Sequence, residues 1–374
     1  MLNMDKINAD SNGISRRTTL LALGAGALVV GGGFLLGDSQ RRENEELEKN
    51  PPLVETHLHS DCAHSPKSLF KRAKYIYGVE TIEELAKIVQ APHASDWDTW
   101  YQHLKKVRLA YTSAQMIADL IGDVIEENSE QGIDLLELRV SLLSTTATLL
   151  KNQGITNPKP QQYWQTARQI MDAVMETIRQ KNDSLEMQTD FIMSISSSNK
   201  YKKYVADLMK LCLDYHEYIC AMGITNEKDT PPSELGKHVD KVRHDIRGLT
   251  VHCMELMGPE RGYDVLNINP DRIGHGKNAF KDPKLMAEFA RRGIPFEVCL
   301  HSNLVSGVVK KLEDHPLRTF DDAGIPIILA TDGTNDGKDL AYNHALARKL
   351  GCTDADLLRF RQNAHNHAFR NLYS

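Results

Sequence analysis

Short apolar runs alternate with longer stretches of helical period from Leu53 onward. The runs have the length and β-branched content of buried strands, and the stretches between them repeat their apolar positions at helical spacing. Strands that alternate with helices build a parallel sheet covered by helices, and eight such strands over about 320 residues predict a (β/α)8 TIM barrel of the α/β class. The eight runs span residues 53–59, 133–140, 191–197, 218–225, 249–255, 271–276, 294–302 and 325–333.

The connection between the first two runs is unusually long. Residues 62–130 contain WDTWYQHLKKVRLAYTSAQMIADLIGDVIEEN, whose apolar positions recur at helical spacing. We therefore predict a helical insertion after the first strand, over the mouth of the barrel. Two interpretations of the insertion remain open, a lid that closes over a site or helices that pack on the rim.

The N-terminal segment differs from this body. Ser15-Arg16-Arg17-Thr18-Thr19-Leu20-Leu21 leads into an uncharged, glycine-rich apolar run that ends at residue 37. This pattern is typical of twin-arginine export signals in bacteria. We predict an export signal or membrane anchor at 1–37, a charged linker at 38–50 and a barrel at 51–374. The predicted location is periplasmic, extracellular or membrane-anchored, and cleavage of the signal is left open.

Composition excludes some classes of partner. A formal net charge of −5 and a pI near 6.3 provide no broad basic surface, so nucleic acid is not the expected partner and a small molecule is. The six cysteines are widely spaced and form no CxxC motif, which argues against a disulfide scaffold and a thiolate metal site. The oligomeric state is not indicated.

Polar residues interrupt the apolar runs at their C-terminal ends, where barrels of this type form their active sites. His57 and His59 are two positions apart on the first run, so they share one face of the strand. Such a pair alone is compatible with packing. His252, His275 and Asp332 close later runs, and buried imidazole and carboxylate groups need partners that a metal ion supplies. A divalent metal site is predicted, with zinc as the first choice and iron or manganese as alternatives.

Glu255 follows His252 by three positions, so it cannot share the strand face of that histidine. It is expected in the loop beside the metal, where it suits a proton shuttle; a surface glutamate at a loop start is the alternative. The fourth run ends at Ile224-Thr225-Asn226 and contains no lysine that could bridge two ions. One metal ion per chain is therefore predicted.

These motifs, taken in order, resemble the adenosine deaminase family of metal-dependent hydrolases. The resemblance spans nearly all of the chain from residue 53. It rests on THLHSD (56–61), TVHCMEL (250–256), DRIGHG (271–276), FEVCLHSN (296–303), HPLRTFDDAGIPI (315–327), ILATDG (328–333) and QNAHNHAF (362–369).

The resemblance implies a hydrolytic deamination of adenosine or a related purine nucleoside. Hydroxide would add to the amine-bearing ring carbon and ammonia would leave, with Glu255 donating a proton to the ring nitrogen and His275 positioning the hydroxide and stabilising developing charge. The implied zinc ligands are His57, His59, His252 and Asp332.

The chain departs from the family at positions that contact substrate. The resemblance implies that Asp61 holds the sugar, although it could instead cap the following turn. The family's base-contacting loop after strand four corresponds to the segment around Asn226, its second aspartate to Gly333, and a motif glycine to Cys62. Loss of one hydrogen bond to a buried ring nitrogen costs about 1–3 kcal/mol, although Asn335 or Asp336 could substitute.

Two alternatives therefore stay open. One is a hydrolase of the same superfamily that acts on another aminopurine, a modified nucleoside or an amide. The other is a nucleoside-binding protein without turnover.

Overall fold

The computed structural model describes residues 49–92 and 96–370. The chain divides into units Met1–Lys49 and Asn50–Ser374, and the fold below is that of the second. The predicted export signal at 1–37 and the linker up to residue 48 lie outside the described residues. Within the described part of the chain, no helix combines the length and apolarity that a membrane crossing requires.

Eight parallel strands pair in sequence order, which confirms the predicted (β/α)8 barrel. Each strand lies inside or close to one predicted run; the third begins three residues earlier than predicted, and the last two are short. The strands are β1 Val54–His59, β2 Leu135–Val140, β3 Gln188–Ser196, β4 Ile219–Thr225, β5 Gly248–Cys253, β6 Arg272–His275, β7 Phe296–Val298 and β8 Ile327–Leu329.

Helices cover the outside of the strands, and α1–α5 form the predicted insertion between β1 and β2. The α-helices are α1 Ser60–Ala63, α2 Pro66–Tyr77, α3 Ile82–Val89, α4 Trp97–Val107, α5 Ala114–Glu130, α6 Leu142–Asn152, α7 Pro160–Ser184, α8 Val205–Asp214, α9 Pro232–Val239, α10 Pro259–Val265, α11 Pro283–Arg292, α12 Leu300–Val305, α13 Leu317–Asp322, α14 Leu340–Lys349 and α15 Asp354–Asn366. Short 3₁₀ helices occupy Arg108–Ala110, Lys202–Tyr204, Leu266–Ile268, Lys277–Lys281 and Leu312–Asp314.

Side-chain caps define where the insertion helices begin. The Asp96 side chain accepts from the backbone N–H of Thr99 and starts α4, and Ser113 does the same for α5. Thr81 and Glu84 form a reciprocal capping box at the start of α3. These caps satisfy backbone donors that a helix leaves unpaired at its N-terminus, so the insertion consists of separate, well-defined helices.

Backbone contacts between β1 and the residues after β8 bring the ends of the sheet together. The N–H of Asp332 donates to the carbonyl of His57 at 2.7 Å, and the N–H of His59 donates to the carbonyl of Asp332 at 3.0 Å. The buried Glu55 carboxylate accepts from the N–H groups of His57 and Thr331. Barrel closure therefore sets the backbone positions of three predicted metal ligands.

The barrel interior contains a buried charge network. Arg272 Nη2 lies 2.5 Å from Glu137 Oε2, and Arg139 Nη2 lies 2.5 Å from Glu297 Oε2, with all four side chains fully buried. Arg272 Nε is also 2.8 Å from Glu297 Oε1, an ion-pair contact that lacks hydrogen-bond alignment. Buried charges persist only when they are paired.

The C-terminal segment completes the surroundings of Arg272. The carbonyl of His367 accepts from Arg272 Nη1 at 3.0 Å, and the guanidinium carbon lies 3.8 Å from the centre of the Phe369 ring. The backbone N–H of Phe369 donates to Glu137 at 2.6 Å. The QNAHNHAF motif thus contributes to the fold of the barrel.

Replacing Arg272 by methionine should strongly destabilise the protein. The variant leaves Glu137 without its arginine and weakens the neutralisation of Glu297, and breaking a buried pair costs about 3–5 kcal/mol. Urea unfolding followed by circular dichroism measures the loss. Arg179→Met is the matched control because the Arg179 ion pairs lie on the surface of α7, so little change is expected. Equal stability of the two variants would contradict a structural role for the network.

Candidate active site

The predicted site residues converge at the C-terminal ends of the strands. His57 and His59 come from β1, His252 from β5, His275 from β6, and Asp332 from the segment after β8. The Nε2 atoms of His57 and His59 lie 3.1 and 3.0 Å from Nε2 of His252. Oδ1 of Asp332 lies 3.7 and 3.6 Å from the same two nitrogens. All five side chains are buried.

Unusual backbone conformations place two of these side chains. His275 and Asp332 have φ angles of 64° and 66°, in the left-handed region that residues other than glycine rarely adopt. Met254 and Asn226, which follow β5 and β4, share this feature with φ of 58° and 61°. Residues in such conformations cluster at functional sites, where the surrounding structure holds them.

The donor set fits a divalent metal ion. Burial lowers the pKa of His57 and His252 well below the ordinary value, and neighbouring cationic groups lower it further, so both rings are neutral at pH 7. A neutral imidazole carries one proton, so the close Nε2 contacts around His252 cannot all be hydrogen bonds. Atoms that share one ion at about 2.0–2.1 Å are about 3–3.5 Å apart. The Nε2 atoms of His57 and His59 lie 3.1 and 3.0 Å from Nε2 of His252, and Oδ1 of Asp332 lies slightly farther away, at 3.7 and 3.6 Å from the first two.

Glu297 fixes the orientation of His57. Nδ1 of His57 lies 2.8 Å from Oε2 of Glu297. Burial raises the pKa of Glu297, but Arg139 and Arg272 lower it more, so its net pKa is below the ordinary value and it is a carboxylate. The carboxylate accepts the Nδ1 proton, which leaves the Nε2 lone pair of His57 free to bind a metal.

Either His59 or His275 could be the third histidine ligand beside His57, His252 and Asp332. Ligand atoms of His57, His252, His275 and Asp332 all lie within 4.8 Å of one another. The sequence predicted His59 in place of His275, and His59 also contacts both His252 and Asp332. Distances alone therefore allow either set.

Glu255 lies where the sequence placed it, two residues beyond the end of β5 and beside the histidines. Its Oε2 is 3.7 Å from Nε2 of His275. Burial raises the pKa of Glu255 well above the ordinary value, and the carboxylates of Asp332 and Glu227 raise it further. The burial and the neighbouring carboxylates therefore favour the protonated form, which can act as an acid.

The site opens into a cavity of about 340 Å³ that the insertion covers. Trp97, Trp100, Tyr101 and Leu104 of α4 line one side. The ends of β2, β3 and β4 line another with a group of polar side chains, namely Ser141, Ser144, Ser196, Ser198, Lys200, Thr225 and Asn226. The volume suits a small ligand, and its walls combine aromatic and hydroxyl groups.

Asp61 lines the cavity and forms a buried ion pair with Arg108. Burial raises the pKa of Asp61, but Arg108, His59 and His64 together lower it more, so its net pKa is below the ordinary value and the carboxylate is charged. The two residues are 47 positions apart. Arg108 belongs to the insertion and nothing in its local sequence marks it, so sequence reasoning missed it.

Gly333 packs directly against Cys62. A Cβ atom at position 333 would lie 2.8 Å from Cys62 Cβ and 2.9 Å from its carbonyl oxygen. The N–H groups of Thr334 and Asn335 both donate to the same carbonyl at 3.1 Å. Position 333 therefore cannot carry a side chain in this backbone arrangement.

Asp336 and Asn335 differ in their contacts. Oδ2 of Asp336 lies 2.5 Å from Nε2 of His301, and both side chains line a small cavity of about 30 Å³ together with Gly333. The Asn335 side chain instead donates to the carbonyl of Val89. Of Asn335 and Asp336, only Asp336 has a side chain that contacts a buried histidine beside Gly333.

Further residues support the site without having been predicted. Glu297 and Arg139 are charged residues inside apolar strand runs, a signal that the sequence does carry. Ser302 donates to Oδ2 of Asp332 at 2.5 Å. Asn303 contacts Glu255 and His275. The contacts of Ser302 and Asn303 become visible only in the folded chain.

Comparison with known proteins agrees with this geometry. Residues 52–372 match the family model described as adenosine deaminase. A relative described as adenosine deaminase, from Shewanella loihica, is 30% identical over 332 residues, which cover 86% of this chain and 96% of the relative.

Solved structures share the fold at lower identity. An adenine deaminase from Arthrobacter aurescens gives a TM-score of 0.72 at 18% identity and covers 86% of this chain and 95% of its own. The N6-methyl-AMP deaminase from Arabidopsis thaliana gives a TM-score of 0.70 at 20% identity. The match covers 88% of this chain and 95% of that structure's chain. An amidohydrolase with bound zinc, from Burkholderia ambifaria, gives 0.71 at 19%, covering 86% of each chain.

Replacing Gly274 by alanine should weaken metal binding. The new methyl group would lie 2.7 Å from Cε1 of His57, so it displaces that imidazole, and it would also touch Nδ1 of His252 at 3.4 Å. Loss of ligand orientation lowers metal affinity by about 10–100-fold, which competition with a chromophoric chelator measures.

Gly223→Ala is the control for this test. Gly223 also lies in a barrel strand, where an added Cβ meets Ser194 and Ile192 side-chain atoms at 3.2–3.3 Å, and these residues belong to neither metal-ligand set. Its metal affinity should stay near that of the native protein. Native affinity in Gly274→Ala would refute the proposed placement of the ion.

Proposed function

Because the chain belongs to the adenosine deaminase family and is a hydrolase that acts on C–N bonds, we propose that it deaminates adenosine or a related purine nucleoside. The products are ammonia and the corresponding 6-oxopurine nucleoside, inosine in the case of adenosine. The observation that carries this proposal is the buried Glu255, whose pKa burial raises, beside a convergent cluster of histidines. Deamination needs both a proton donor to the ring and a source of hydroxide.

The family is metal-dependent, and we propose one zinc ion per chain, held by His57, His59, His252 and Asp332, whose ligand atoms contact one another. Nitrogen and carboxylate donors of this number suit zinc, and iron or manganese are the alternatives. A bound divalent ion lowers the pKa of its water toward 7 and so supplies hydroxide at neutral pH.

Glu255 and His275 handle the protons of the reaction. Glu255 donates its proton to N1 of the purine as the hydroxide adds to C6, which prevents charge from accumulating on the ring. Burial lowers the pKa of His275 to about 4, so its ring is neutral. A neutral ring positions the attacking oxygen by a hydrogen bond and stabilises the charge that develops there.

This arrangement sets the orientation of the purine. N1 and C5 are the two ring neighbours of C6, and N7 is bonded to C5. A purine with N1 at Glu255 therefore directs its N7 edge away from β5 and toward the residues after β8. There the His301–Asp336 pair lies beside Gly333. We propose that this pair contacts the N7 edge, since position 333 has no side chain.

The sugar extends toward the remaining part of the cavity. Asp61 and Arg108 lie on one wall, and the backbone of Asn226 turns with a positive φ at the end of β4. The serine hydroxyl groups that follow β2 and end β3 match the hydrogen-bonding needs of a ribose. Lys200 also lines this part, which makes a nucleoside 5′-monophosphate the substrate to compare with the nucleoside.

Replacing Glu255 by glutamine should abolish turnover and leave the metal bound. Glutamine keeps the size of the side chain but has no acidic proton, and loss of general acid catalysis costs about 10²–10⁴-fold in rate. Ammonia release and metal content per chain are measured on the same sample. An active Glu255→Gln enzyme would disprove the assigned role.

A substrate panel identifies what the native protein converts. The panel contains adenosine, deoxyadenosine, adenine, adenosine 5′-monophosphate and N6-methyladenosine, with ammonia or methylamine as the measured product. Turnover of adenosine or deoxyadenosine supports the proposal, and turnover restricted to another compound supports a different aminopurine hydrolase. Binding of nucleosides without release of either amine would identify a binding protein.

We also propose export by the N-terminal segment at 1–37. The twin arginines Arg16 and Arg17 and the apolar run that follows support it. The protein should therefore be found outside the cytoplasm, or attached to the membrane, in cell fractionation. Arg16→Lys/Arg17→Lys should retain it in the cytoplasm, and unchanged distribution of that variant would contradict the proposal.

A further inference from the structure

A single buried amide lies between the two residues that handle protons. Asn303, on α12, is completely buried, and its Nδ2 is 3.3 Å from Oε1 of Glu255 and 3.3 Å from Nδ1 of His275. An amide NH₂ group has two protons, so it can donate to both neighbours at once. Neither contact could be inferred from the sequence, because 48 and 28 positions separate the partners.

The orientation of this amide is set by a second histidine. Nε2 of His315 lies 3.3 Å from Oδ1 of Asn303, and the backbone N–H of Leu317 donates to Nδ1 of His315 at 3.1 Å. Burial lowers the pKa of His315 to about 3, so its ring is neutral. Because Nδ1 accepts a hydrogen bond, the ring proton is on Nε2 and is donated to Oδ1.

The Leu317 backbone N–H can only donate a hydrogen bond. It therefore sets the direction of each hydrogen bond in the series that runs from Leu317 through His315 and Asn303 to Glu255 and His275. The Oδ1 atom of Asn303 receives the His315 proton, so the NH₂ group must face Glu255 and His275. His275 then accepts at Nδ1 and carries its own proton on Nε2. Glu255 accepts at Oε1, so its acidic proton is on Oε2, the oxygen 3.7 Å from Nε2 of His275.

We propose that Asn303 is a positioning residue that places the reactive protons of both Glu255 and His275, and that His315 holds Asn303 in the required orientation. The inference deepens the proposed function, since it concerns how the proposed acid and the proposed hydroxide-positioning group are prepared for the reaction. It also assigns a role to Asn303 in the FEVCLHSN motif and to His315 in the HPLRTFDDAGIPI motif, neither of which contains a proposed metal ligand.

The proposal also distinguishes the two candidate ligand sets. With its proton on Nε2, His275 has no lone pair directed at the cluster of ligand atoms. His57 has its proton on Nδ1, bound to Glu297, and so presents a free Nε2. His59 then supplies the remaining histidine nitrogen, and His275 remains a hydrogen-bond donor to the attacking oxygen.

The tautomers can be measured without turnover. In full-length, zinc-loaded protein labelled with ¹⁵N-histidine, nitrogen chemical shifts report which ring nitrogen carries the proton, and His275→Gln and His315→Gln assign the two signals. We expect Nε2–H for both rings in the native protein. Asn303→Asp should move the His275 proton to Nδ1, because a carboxylate only accepts. A native His275 with its proton on Nδ1 would overturn the proposal whatever the activity.

Kinetics provide the second test. Asn303→Asp and His315→Leu should lower kcat by about 10–100-fold or more, because the acidic proton and the donor to the oxyanion are misplaced. Metal content and the dissociation constant for the product nucleoside should remain within about threefold of native.

Rescue by a conservative variant separates positioning from packing. In His315→Gln, the side-chain oxygen can accept from Leu317 and its NH₂ group can donate to Asn303, so kcat should recover to within about threefold of native. Asn128→Leu removes a buried asparagine on α5 that donates to the carbonyl of Val124, and it should lower stability but not kcat.

The outcomes distinguish this inference from the proposed function. A His315→Gln enzyme as slow as His315→Leu, or a parallel loss of metal and rate in Asn303→Asp, would refute the positioning role. A native protein that releases no amine from any compound in the panel would instead refute the proposed function, and the ¹⁵N measurement would still decide the proton positions.

Discussion

The Glu297 carboxylate is the interaction on which both the fold and the site depend. It is fully buried, and Oε2 contacts Arg139, Thr250 and Nδ1 of His57. Removal of a carboxylate from water is costly, and here two arginines and a histidine provide the compensation. The same contacts that make the charge tolerable inside the barrel orient a proposed metal ligand, so stability and ligand geometry are not independent properties of this chain.

Closure of the barrel has a similar double role. The segment after β8 reaches β1 through backbone hydrogen bonds of Asp332 with His57 and His59, and through Glu55. Asp332 adopts its positive φ within these contacts. The strain is therefore compensated by the closing hydrogen bonds, which also hold the carboxylate close to the histidines.

The two halves of the barrel mouth carry different kinds of side chain. One half, from β5 through β8 to β1, contains the metal-binding groups and proposed proton donors, and the other half presents hydroxyl groups under the aromatic residues of α4. At the boundary, Cys62 occupies the space that a side chain at position 333 would need. This packing excludes a side chain at position 333, and His301 and Asp336 are among the polar groups that line a small cavity beside it.

The sequence by itself determined the architecture and the residues of the proposed site. Strand length, helical spacing and side-chain alternation are local properties, so they predicted eight strands, the insertion, and two histidines on one face of β1. Position at a strand end predicted His252, His275, Asp332 and the displaced Glu255, because a parallel barrel collects its strand ends at one rim.

Only the tertiary structure decided which groups contact each other across that rim. The Asp61–Arg108 pair, the steric exclusion at Gly333, and the amide of Asn303 between Glu255 and His275 all depend on distances between segments far apart in the chain. Hydrogen-bond direction was equally hidden, since a histidine tautomer follows from its neighbours in space. Sequence pattern therefore predicted which strand-end residues gather at the rim, and packing determined which further groups they contact and where their protons lie.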